Sequence, residues 1–173
     1  FGFYQGFNMD NGVADASAAL EQLRALDGCT GKVGAVGYCL GGMLAYLVGA
    51  RTKADASVGY YGVGIQDALG EAANISGPHM MHIAELDQFV PPEAQTAIKD
   101  GLGSNAKVTI HSYANVDHAF ARTGGEHFDA ASATQANTRT AMQTGQASGV
   151  VMAEAAVAGC GVALYSPNEV KLA

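Results

Sequence analysis

The chain has 173 residues, 49% of them apolar and 14% charged, with a formal charge of −7 at pH 7. That is enough apolar material for one domain with a real core, and the low charged fraction argues against a disordered or coiled-coil chain. The acidic balance, with no Lys/Arg cluster, argues against nucleic acid as a partner, because binding phosphates needs a basic face.

In chain order, Asp10 to Leu26 reads as a helix. Val13, Ala16, Leu20, Leu23 and Leu26 recur at spacings of three and four and share one face, and Asp27-Gly28 ends it. Lys32 to Gly37 fits a buried strand, and Leu40 to Ala50 an apolar helix. Ala56 to Tyr61 is a further strand and Gln66 to Asn74 a short helix. A third strand, His79 to Ala84, follows Pro78. Pro91-Pro92 opens a helix that runs to about Leu102, since proline is tolerated in a first turn. Lys107 to Tyr113 alternates like a strand, and Ala130 to Gln143 closes the series as a helix. Strands alternating with helices predict an α/β fold, a mostly parallel sheet covered on both faces. The character changes at Thr144. Gly149 to Leu164 has no clear period and is left open between a helix, an extra strand and a tail. The expected division is an α/β domain over 1–143 and an atypical tail over 144–173.

No stretch of 18 apolar residues runs without polar interruption, so no membrane-spanning helix is expected. The segment from Phe1 to Asp10 lacks the pattern of a secretory signal, and the absence of an initiator Met points to a truncated reading frame. Cys29, Cys39 and Cys160 are too few for a disulfide framework, which fits a reducing cytoplasm.

Gly37-Tyr38-Cys39-Leu40-Gly41-Gly42 lies between a predicted strand and a predicted helix. This is the G-x-S-x-G elbow with cysteine in the place of serine. The turn is so tight that flanking positions must lack side chains. The N-terminus of the following helix favours a thiolate at Cys39, and the Leu40 N–H is a natural oxyanion donor. The competing reading is a small buried cysteine without chemistry.

The elbow's partners would follow in the order acid, then base. Asp87 comes after the strand ending at Ala84, and His118 after the strand ending near Tyr113, both where sites in open α/β sheets gather. Asp117 adjoins His118 and is poorly placed to orient the far imidazole nitrogen, so Asp87 is preferred. His79 and His82, three apart on one strand, face opposite sides and do not share a metal. His111 is expected to be solvated, His127 to lie on the surface, and Cys29 and Cys160 to be structural or incidental. No residue set has zinc-like spacing, and neither a metal nor a cofactor is expected.

Four blocks carry a resemblance to the dienelactone hydrolase family of α/β-hydrolases: KVGAVGYCLGG at Lys32, SVGYYGVG at Ser57, DQFVPP at Asp87 and DHAFART at Asp117. The resemblance spans roughly Phe1 to Met142. It implies a soluble enzyme acting on small cyclic esters, with Cys39 as nucleophile, His118 as base and Asp87 orienting it. It further implies that Arg122 binds a substrate carboxylate and that Tyr60 lines the pocket. A guanidinium four residues past the base suits an anionic lactone. The family carries a further segment before the point where this chain begins, which supplies the first strands, so an exposed sheet edge is expected. The reading is a hydrolase cleaving a small carboxylated lactone or ester, the dienelactone-to-maleylacetate type, as a monomer. Its rivals are a non-catalytic fragment and a carboxylesterase or thioesterase for uncharged substrates.

Overall fold

The alternating strands and helices are assembled into one six-stranded sheet in the computed structural model, which describes residues 6–144 and the backbone of Gly149–Glu154 and Gly161–Tyr165. In chain order the elements are α1 (Met9–Arg24), β1 (Val33–Tyr38), α2 (Leu40–Arg51), β2 (Ala56–Tyr60), a 3-10 segment (Ile65–Asn74), β3 (His79–Ala84), α3 (Pro92–Leu102), β4 (Val108–Tyr113), α4 (Ala130–Thr144), β5 (Gly149–Glu154) and β6 (Gly161–Tyr165). The sheet order is β4-β3-β2-β1-β5-β6. All neighbours pair in parallel except β6, which is antiparallel to β5.

The two faces of the sheet are packed differently. On one, Leu20, Leu47, Ile65, Ile98 and Leu102 of α1, α2, the 3-10 segment and α3 cover Val33, Ala35, Met81 and Ile83. On the other, Ala136 of α4 joins Val36, Val58, Met80, Tyr113 and Phe120. Every residue of α2 from Leu40 to Ala50 is buried, which is why its sequence is apolar all round rather than striped. Close approach replaces side-chain packing where α2 meets β2. A Cβ on Gly42 would lie 2.7 Å from the Tyr60 carbonyl oxygen and from the Gly62 Cα, and one on Gly59 2.9 Å from the Gly42 oxygen.

A buried hydrogen-bond network crosses the apolar cluster under α4. Arg139 donates to the Tyr113 hydroxyl (3.0 Å), which lies 2.9 Å from His82 Nδ1. His82 Nε2 lies 3.0 Å from Thr140 Oγ1, Thr140 lies 2.6 Å from the Tyr60 hydroxyl, and Tyr60 donates to Asn137 Oδ1 (3.0 Å). Tyr60 has one O–H and gives it to Asn137, so the order of the chain follows back from that end. Tyr113 donates to Nδ1 of a neutral His82, whose Nε2–H donates to Thr140, which donates to Tyr60. Burial keeps His82 neutral and lowers its pKa to about 3, with smaller contributions from His111 and Arg139. His79 lies on the opposite face, 2.8 Å from Ser57 Oγ, and burial lowers its pKa to about 4.

Several expectations are revised. α1 stops at Arg24, and Leu26, placed by its spacing on the buried face, lies beyond the helix and is 57% exposed. The short helix after β2 is 3-10, kinked at Ala68 (φ −118°, ψ 15°). His111 is half-buried rather than solvated, because its ring stacks on His82 at 5.7 Å. The expected open edge at β1 is paired: β5 runs beside it from Val33↔Gly149 to Tyr38↔Glu154, and β5 and β6 place part of the tail in the sheet. Cys160 lies outside the described residues.

Two outcomes follow from this packing. Gly37→Ala, whose methyl would lie 1.8 Å from the Gly41 oxygen, should lower unfolding stability by more than the roughly 1–3 kcal/mol of ordinary overpacking. Gly70→Ala, with nothing within 4 Å, should not; urea midpoints compare the two. The second concerns acid. The unfolded chain protonates His79 and His82 below about pH 6.5, whereas the folded state resists until about pH 4 and 3. Stability should therefore fall as pH drops from 6.5 toward 4. In His82→Asn the slope should be shallower, even though its stability at pH 7 is lower, as urea titrations at several pH values would read.

Candidate active site

Cys39 stands at the turn between β1 and α2 with φ 57° and ψ −119°, a conformation side chains resist. Its N–H donates to the Tyr60 carbonyl (3.0 Å), and its own carbonyl accepts the Gly42 N–H (2.9 Å). The Gly37 Cα lies so close to Gly41 that neither the strand nor the helix could supply this turn with a larger residue at Gly37. Leu40 is the first residue of α2, where main-chain N–H groups have no intrahelical acceptor.

Asp87 and His118 arrive from the loops after β3 and β4. Asp87 is 3% and His118 8% exposed, and His118 Nδ1 lies 2.8 Å from Asp87 Oδ2. The other carboxylate oxygen accepts the Phe89 N–H at 2.9 Å. Buried Gln95 of α3 braces this loop from beneath, its amide donating to the carbonyls of Ala84 (3.1 Å), Glu85 (3.3 Å) and Val90 (2.8 Å). The His118 ring meets the edges or faces of Tyr61 and Phe89, each with a centroid separation of 4.9 Å. Phe89 is 51% exposed, so one wall beside the imidazole is open to an incoming molecule.

The electrostatics join the third group. Burial alone would lower the His118 pKa, but hydrogen bonds to Asp87 and Cys39 and the charges of both outweigh it and raise the pKa to about 9. At neutral pH the imidazole therefore carries its proton between a carboxylate on one side and the Cys39 sulfur on the other. Such an arrangement can deliver a nucleophile and then return a proton to a leaving group.

The remaining expected residues fall into two groups. Arg122 lies on the exposed surface of the turn that leaves His118, its N–H bound to the Ala119 carbonyl (2.9 Å). Of the four arginines, Arg24 and Arg51 are in ion pairs and Arg139 is on Tyr113, while the Arg122 guanidinium makes no ion pair among the described residues. Tyr60 is not brought to this cluster. Its hydroxyl lies in the network under α4, and it meets the elbow through its ring, stacked on Tyr38 at 4.6 Å, and through its main-chain carbonyl. Tyr61, its neighbour, is the tyrosine that touches His118: it lies just past β2 with φ 37°, where the chain has left the extended path of the strand. Tyr61 was not singled out from the sequence, nor was Gln95 or Phe89. No local period separates Tyr60 from Tyr61, because the chain turns at Tyr61. Among the described residues, no three His, Cys, Asp or Glu side chains converge as a metal site.

Residues 2–148 match the model of the dienelactone hydrolase family. The chain is 43% identical over 137 residues to carboxymethylenebutenolidase 1 of Cupriavidus pinatubonensis, a match covering 79% of this chain and 58% of that one. It is 41% identical over 136 residues to the carboxymethylenebutenolidase of Pseudomonas putida, with the same coverage. The chain thus spans a little over half the length of these relatives. Among solved structures, a dienelactone hydrolase-like promiscuous phosphotriesterase from metagenomic libraries shares the fold, with a TM-score of 0.70 at 21% identity over 84% of this chain and 64% of that one. With a family match over most of its length, the chain belongs to the dienelactone hydrolase family.

Proposed function

We propose that the protein hydrolyses a small carboxylated lactone or ester, of the type in which dienelactone is opened to maleylacetate. The observation that carries this is the buried Asp87–His118 hydrogen bond of 2.8 Å, with Cys39, at the strained turn between β1 and α2, near enough to help raise the His118 pKa. The names of the relatives at 43% and 41% identity agree with it.

In this reading the Cys39 sulfur, its proton on His118, attacks the ester carbonyl while the Leu40 N–H receives the developing oxyanion. The C–O bond to the alcohol breaks and His118 returns its proton to the departing oxygen, leaving a thioester on Cys39. Water then attacks the thioester with His118 as base, which releases the carboxylic acid and restores the thiol to the pair. Asp87 fixes which imidazole nitrogen faces the sulfur. The unpaired Arg122 guanidinium receives the substrate carboxylate, and Tyr61 and Phe89 wall the imidazole. A free nucleophilic thiol needs a reducing compartment, so we place the protein in the cytoplasm, working as a monomer in the breakdown of aromatic compounds. No helix among the described residues is long and apolar enough to cross a membrane.

Hydrolysis of cis-dienelactone, followed by its ultraviolet absorbance, should be abolished by Cys39→Ala; undiminished turnover in that variant would overturn the reading. Arg122→Gln separates the carboxylated substrate from an uncharged one. Losing a charge-assisted contact of about 1.5–3 kcal/mol should reduce kcat/KM for the free acid by roughly 10- to 150-fold and leave its methyl ester nearly unchanged. Equal losses on both would favour an esterase for uncharged substrates.

A further inference from the structure

The loop that carries His118 is bent at two positions that side chains resist. Asn115 (φ 61°) and Ala119 (φ 64°) both lie in the left-handed region, so this segment must be held by its neighbours. Two main-chain bonds attach it to the Asp87 loop. Glu85 N–H donates to the Tyr113 carbonyl and Leu86 N–H to the Val116 carbonyl, each at 3.0 Å. Both precede the acid and the base in their loops.

A third attachment is made by a side chain. Asp117 Oδ1 accepts the His118 N–H at 2.6 Å and the Gln88 N–H at 3.3 Å. The residues on either side of Asp87, Leu86 and Gln88, are thereby both tied to the loop that carries His118. The other carboxylate oxygen lies 3.9 Å from His127 Nδ1, whose side chain is 41% exposed, so that contact is too screened to fix Asp117. Its firm contacts are the two N–H groups.

We infer that Asp117 is a positioning residue: its carboxylate staples the acid loop to the base loop and so sets the Asp87–His118 hydrogen bond. The inference rests on the reading of Cys39, His118 and Asp87 as the reacting set, and it adds a group that touches none of the reacting atoms. Misplacing a catalytic group by about 1 Å can cost on the order of 100-fold in rate, so a staple at this level matters more than its own bond strength. What the staple needs is an acceptor oxygen, not a charge. Asparagine retains that oxygen and alanine removes it.

The test compares the full chain with Asp117→Ala and Asp117→Asn, using kinetics on cis-dienelactone and the low-field proton resonance of the His118–Asp87 hydrogen bond. Asp117→Ala should lower kcat about 10- to 100-fold with little change in KM and broaden or remove the resonance, while Asp117→Asn should restore both. Parental kcat with an intact resonance in Asp117→Ala would overturn the inference. So would an Asp117→Asn variant as impaired as the alanine one. If the parent itself does not open the lactone, the functional reading fails, but the resonance still judges the staple. Its loss in alanine and return in asparagine would uphold it, and its persistence in alanine would overturn it.

Discussion

The Cys39 turn depends on how closely α2 can approach the sheet. A helix entering one residue after a strand must pass its first turn against the backbone it has just left. The chain does this by removing side chains at the points of contact. Gly37 meets Gly41, and Gly42 meets Gly59 and Gly62, at separations that no Cβ could share. The strain of the turn, φ 57° at Cys39, is held by main-chain bonds to Tyr60 and Gly42 rather than by relaxation of the residue itself. The result is a cysteine held at the start of a helix that is buried from Leu40 to Ala50.

The rest of the architecture brings two loops to that fixed point. The apolar face, packed by α1, α2 and α3, sets the sheet, and Gln95 carries the rigidity of α3 into the Asp87 loop through three hydrogen bonds. The opposite face uses a directed hydrogen-bond chain from Arg139 to Asn137, which pins α4 across β2, β3 and β4. Tyr60 belongs to both systems, since its hydroxyl ends that chain while its carbonyl holds the Cys39 N–H. Burial that keeps His82 neutral and a carboxylate that keeps His118 protonated give two histidines of one fold opposite states at the same pH.

Much of this was legible in the sequence for physical reasons that can be named. Strand–helix alternation forecast the parallel sheet, and the glycine spacing around Cys39 forecast the turn. Asp87 and His118 could be read because each follows a recognisable strand, and the preference for Asp87 over Asp117 matches the 2.8 Å contact to His118 Nδ1. Other features depend on long-range contacts that local pattern does not encode. Gln95 looks like an ordinary helical glutamine until the loop it braces is in place. Tyr60 and Tyr61 are adjacent and chemically alike, and only the turn of the chain at Tyr61 (φ 37°) as it leaves β2 decides which one faces His118. β5 has no helical or strand period strong enough to place it, and its position follows from the unpaired edge of β1.

The most direct measurement of the account is the titration of His118 by nuclear magnetic resonance of its imidazole in the intact chain. The account predicts protonation up to about pH 9, with a midpoint that falls when Cys39 is replaced by alanine, because sulfur and carboxylate both hold the proton. A midpoint near the ordinary histidine value of about 6.5, unmoved by Cys39→Ala, would contradict it and leave Cys39 as a half-buried thiol beside an independent Asp–His pair.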